Sequence, residues 1–92
     1  MKALVIVEDR TMEQLVADGD LTPEYAADLI LAEFKRARTK FAPMRGTHEG
    51  YAVILEELDE AWDEIKANNL PKARKEMLQV AAMALAFLVE VK

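Results

Sequence analysis

HEGYAVILEELDEAWDEIK, His48 to Lys66, carries a hydrophobic stripe and a dense set of carboxylates at once. Tyr51, Ile54, Leu55, Leu58, Trp62 and Ile65 recur at steps of three and four, which places them within roughly 100° of one another on a 3.6-residue helix. That spacing predicts a helix whose apolar face is core, with Trp62 in the core or at a subunit interface. Glu56, Glu57, Asp59, Glu60, Asp63 and Glu64 fill the remaining circumference. Glu57 and Glu60 stand one turn apart on the flank of the stripe, where a pair can converge on a cation. An acidic run on an amphipathic helix is ordinarily a solvated face. Here, however, like charges at i,i+3 and i,i+4 repel, and only Lys66 is near enough in sequence to offset them. The resulting negative field is what a hard divalent cation such as Mg²⁺ or Mn²⁺ would answer.

Outward from this stretch, Pro43, Gly46 and Thr47 break the chain before it, and Thr47 or His48 begins the helix. His48 reads as a cap or a surface side chain. Upstream, Thr22-Pro23-Glu24 is a strong helix start, with Thr22 as N-cap and Pro23 at the first helical position, where its missing N–H costs nothing. The helix it opens runs to about Phe41 and ends in Lys35, Arg36, Arg38 and Lys40. Those cations complement a helix C-terminus, and one or two of them can reach a substrate phosphate. The pattern Met12, Leu15, Val16 predicts one or two helical turns closed by Gly19-Asp20. Residues 2–7 are β-branched and apolar enough for a short strand, although a lone strand has only a symmetry mate to pair with.

Downstream, Asn68-Asn69 ends the central helix and Pro71 starts the next. Beyond Met77 nearly every residue of that last helix is apolar, and a helix apolar all round is surrounded. Ala81, Ala82, Ala84 and Ala86 allow close approach, so subunits are expected to pack there. Gln79 is the exception in the run. Its amide needs a hydrogen-bond partner, and the carboxylates of the facing helix are the candidates. The fold expected is therefore all-α: an antiparallel helix bundle with three main helices at roughly 22–41, 48–67 and 71–91, completed by oligomerisation. Residues 1–92 form one helical domain, with 1–21 an N-terminal segment of short helix or strand.

The totals narrow the function. There is no cysteine and one histidine, which excludes zinc-thiolate and multi-histidine centres and any cysteine nucleophile. A net charge of −5 argues against nucleic acid, whose binders neutralise phosphates with basic patches. The hydrophobic share of 52% exceeds what so short a chain can bury, which points again to a second subunit. The N-terminus lacks a cleavage site, and the run from Met77 to Val89 is too short to cross a bilayer. A cytoplasmic protein without a membrane partner is expected.

The acids then form a pattern: Glu56-Glu57-x-x-Glu60, fifteen residues, and Glu76-x-x-Gln79. This resembles the MazG-like all-α nucleoside triphosphate pyrophosphohydrolases, whose motif is EExxE followed after a variable gap by ExxD. The resemblance covers roughly residues 23–91, with the motifs between His48 and Met83. It implies a helical bundle with antiparallel motif helices and a homo-oligomer, dimer or tetramer. It further implies Glu56, Glu57, Glu60 and Glu76 as catalytic acids, with Glu57, Glu60, Glu76 and Gln79 holding Mg²⁺, or Mn²⁺, and through it the triphosphate. Lys35, Arg38 and Lys75 are the candidates to meet substrate phosphates. In the implied reaction water attacks a phosphorus of a nucleoside triphosphate, giving the monophosphate and pyrophosphate, a nucleotide-pool housekeeping step. Gln79 stands where the family has aspartate, and an amide oxygen brings no charge to a metal. The alternative is a helical oligomerisation or regulatory module that kept the fold and lost the reaction.

Overall fold

The computed structural model describes residues 9–92, so the strand considered for residues 2–7 lies outside the described residues. The chain is all-helical: α1 Met12–Asp18, α2 Pro23–Lys40, α3 Thr47–Lys66 and α4 Leu70–Glu90. The short α1 joins the three main helices expected, so the described residues hold four. No helix among them is long and apolar enough to cross a membrane.

The helix ends follow local chemistry. Thr22 accepts from the Tyr25 N–H at 3.1 Å and Pro23 opens α2, while Thr11 caps α1 in the same way through Gln14. α1 stops at Gly19, whose φ of 78° places it in the left-handed region that glycine enters freely. Arg74 of α4 completes that end by donating to the Ala17 carbonyl at 3.0 Å. Between α3 and α4 the turn is made by Asn68, at φ 58°, and by Asn69, which caps α4.

α4 is the element the others pack on. α1, α2 and α3 each contact it and make no mutual backbone contact among the described residues. α3 and α4 form an antiparallel hairpin, since Gly50 near the start of one meets Phe87 near the end of the other. α2 runs in the same sense as α4: Arg38 at its end pairs with Glu90 at the end of α4. Ala82 and Ala86 are wholly buried within the chain. The alanines expected at a subunit contact are thus split, with these two used internally and Ala84 exposed.

The apolar stripe of α3 is not the face that meets α4. Gly50 and Ala61 are buried there, with Glu57 on the same line of the helix. Tyr51 is 64% exposed and Trp62 53%, and Leu55, Leu58 and Ile65 are also exposed. Their line lies roughly 100° round the helix from the line facing α4. The physical reason is steric: a carbon added at Gly50 would come within 2.6 Å of the Phe87 ring, so the small residues of α3 are what allows the hairpin to close. Periodicity reveals an apolar line but not what covers it.

Candidate functional site

The α3–α4 hairpin brings three carboxylates together. Glu57 and Glu60 from α3 and Glu76 from α4 offer oxygens that all lie within 4.8 Å of one another. Glu57 and Glu76 are half-buried and Glu60 is exposed. Burial, and then the charges of Glu60 and Glu76, push the Glu57 carboxyl above the usual range. Glu76 is raised by burial, by the charge of Glu60, and by a hydrogen bond to Glu60 that favours its protonated form. Hard oxygen donors at this separation suit a small divalent cation, since ligands on opposite sides of Mg²⁺ stand about 4 Å apart. The trio therefore fits the group that the motifs imply.

A third helix also faces this cluster. Glu33 of α2 has a side chain only 12% exposed, and its charge contributes to raising Glu57. The Arg36 guanidinium beside it holds its carboxyl below the ordinary value against the effect of burial, with the Gln79 amide and Lys40 acting in the same sense. Gln79 is half-buried, and its amide therefore turns toward α2, where the expected partners were acids of α3. Arg36 binds Glu33 through Nε at 3.0 Å and Nη2 at 2.5 Å.

Between α2 and α3 runs a groove of about 630 Å³, within the size range of a small-molecule site. Glu57, Gln79 and Arg36 line it, as do Glu56, Phe41 and Arg45. Glu56 is exposed and outside the carboxylate trio. A second cavity, of about 560 Å³, lies on the α1 side and is lined by Lys75, Glu33, Arg36 and Gln79 among apolar side chains. Of the candidate phosphate-binding cations, Lys75 borders the α1-side cavity and Arg38 lines the groove. Lys35 is exposed, about 200° round α2 from Glu33. Arg38 is engaged by Glu90 and by the carbonyls of Phe41 and Ala42.

The sequence reading missed Glu33 as a site residue and gave Arg36 only as one of four cations able to reach a phosphate. A signal was present: Glu33 is an acid one turn after Leu29 and one turn before Ala37, on a line otherwise apolar, in a segment whose other charges are basic. No family model, curated protein or solved structure matches the chain.

Proposed function

We propose that the chain is a divalent-cation-dependent nucleoside triphosphate pyrophosphohydrolase acting as a homo-oligomer, in keeping with its resemblance to MazG-like proteins. The observation that carries this reading is the convergence of Glu57, Glu60 and Glu76 from two antiparallel helices beside a groove of nucleotide size. Glu57, Glu60 and Glu76 would hold Mg²⁺, which when bound neutralises charge developing on phosphoryl oxygens. Glu56 lines the groove but lies outside the trio. Glu49 also lines the groove but is taken up by Arg45, which leaves Glu56 to accept the proton of the attacking water, a role that needs a free oxygen within hydrogen-bond reach. Gln79 presents a neutral amide to the groove. The exposed apolar stripe of α3 supports the homo-oligomer.

A second reading is favoured by the same stripe together with Gln79: a helical oligomerisation module whose carboxylates no longer act. Pyrophosphate release from a panel of nucleoside triphosphates, with Mg²⁺ and with Mn²⁺, separates the two. The parent is expected to release pyrophosphate, Glu56→Gln to turn over about 100-fold more slowly with metal-induced stabilisation unchanged, and Gln79→Asp to tighten Mg²⁺ binding. No release from any substrate, with no metal-induced rise in melting temperature, establishes the module.

A further inference from the structure

The reading above leaves open which cation meets the anionic chain of the substrate, and the inference that follows rests on that reading. Arg38 is committed elsewhere through all three of its nitrogens. Its Nε and Nη2 go to Glu90, and its Nη1 serves the carbonyls of Phe41 and Ala42. Arg45 is 85% exposed and tied to Glu49, eight residues before Glu57 and so about 12 Å away along α3. Arg74 closes the end of α1. Lys35 leaves α2 on the side away from Glu33.

Arg36 differs from all of these. Arg38 and Arg45 line the groove too, but of the three Arg36 alone also borders the α1-side cavity. Glu33 grips Nε and Nη2, which fixes the plane of the guanidinium while Nη1 makes no hydrogen bond among the described residues. Its side chain is 52% exposed, so that edge opens to the groove. Glu33 is fixed in turn by its burial. A guanidinium held by one edge with the other edge free is suited to a phosphate oxygen, because the planar fork needs no further ordering when the ligand arrives.

We infer that Arg36 is the phosphate-binding residue of the groove and that Glu33 is the residue that positions it. Lys40, one turn beyond Arg36 on the same side of α2, adds a positive field along the path of the phosphates.

Inorganic tripolyphosphate is the probe, titrated calorimetrically with Mg²⁺ into the parent and into Arg36→Gln, Arg36→Lys, Arg38→Gln and Lys35→Gln. Melting temperature with Mg²⁺ alone is read in parallel. Arg36→Gln is expected to weaken tripolyphosphate binding tenfold or more, about the loss of one charge-assisted contact, while its Mg²⁺-induced stabilisation stays at the parent level. Arg36→Lys should recover part of the affinity, and Lys35→Gln should bind like the parent. Glu33→Gln should weaken binding with Arg36 still present, which distinguishes positioning from charge. Parental affinity in Arg36→Gln, or a loss confined to Lys35→Gln or to folded Arg38→Gln, overturns the assignment and leaves the metal site standing. A parent that binds neither Mg²⁺ nor tripolyphosphate overturns the proposed function and this inference with it.

Discussion

Glu57 lies on the line of α3 that faces α4, between buried Gly50 and Ala61, where a helix ordinarily places an apolar side chain. Its raised pKa, and that of Glu76, have a consequence for stability. A carboxyl whose folded pKa lies above its unfolded value stabilises the fold below the unfolded value and loses that contribution as pH rises through the folded one. Glu33 and Glu49 are shifted downward, so their contribution is present above the unfolded pKa and falls away only in more acidic solution. In the window just above the ordinary carboxyl range the change is thus set by Glu57 and Glu76. In EDTA the melting temperature should rise as pH falls across that window, and Glu57→Gln should flatten the rise while melting higher at neutral pH. The same variant should gain less from Mg²⁺. Identical melting curves for parent and Glu57→Gln, with and without Mg²⁺, would show that the carboxylates do not act on one another.

The C-terminal end of α4 is a clasp between elements. The Glu90 side chain, only 8% exposed, accepts from Arg38 of α2 and, at 2.9 Å, from the Met44 N–H in the loop that leads to α3. Met44 is buried beneath this contact. One carboxylate thus ties together three segments that local sequence leaves separate. Glu90→Ala strips Arg38 of its partner and leaves a backbone donor unsatisfied, which should cost about 2–3 kcal/mol and lower the melting temperature by roughly 10–15 °C. Arg38→Gln should destabilise in the same direction and leave tripolyphosphate affinity unchanged once the protein is folded. An Arg38→Gln protein that melts like the parent would contradict the clasp.

At the scale of the molecule the interior is poor in large side chains. Among the described residues, those fully enclosed, at 0% exposure, are Ala61, Ala82 and Ala86, and no large side chain is completely buried. Meanwhile the Tyr51 to Ile65 stripe forms one exposed apolar face, continued by Leu88 at 80% exposure beside a shallow cavity shared with Tyr51 and Ile54. A face of this kind is what the proposed homo-oligomer would cover, since a second copy of the chain brings a matching one. Sedimentation at micromolar concentration should show no stable monomer. Trp62, the single tryptophan, reports on this face directly: its emission should shift to longer wavelength on dilution. Trp62→Glu should weaken association at least 100-fold while helical circular dichroism is kept. Unchanged sedimentation of Trp62→Glu would place the interface elsewhere.

What the sequence determined by itself was the set of helices and the meeting of the acids. Thr22-Pro23, Gly19 and Asn69 with Pro71 act on backbone groups within about four residues, so they are legible without a fold. Glu57, Glu60 and Glu76 are legible for a related reason, because a connection of residues 67–69 obliges α3 and α4 to fold back as a hairpin. Which apolar line of α3 faces inward was decided only by tertiary structure, since several lines share the same period and the choice falls on the small residues that let Phe87 approach. The same holds for the arrival of Glu33 and Arg36 at the acids and for the capture of Arg38 by Glu90 across 52 residues. Those contacts exist because α2 and α3 pack on different sides of α4, and no local preference in α2 encodes its neighbour.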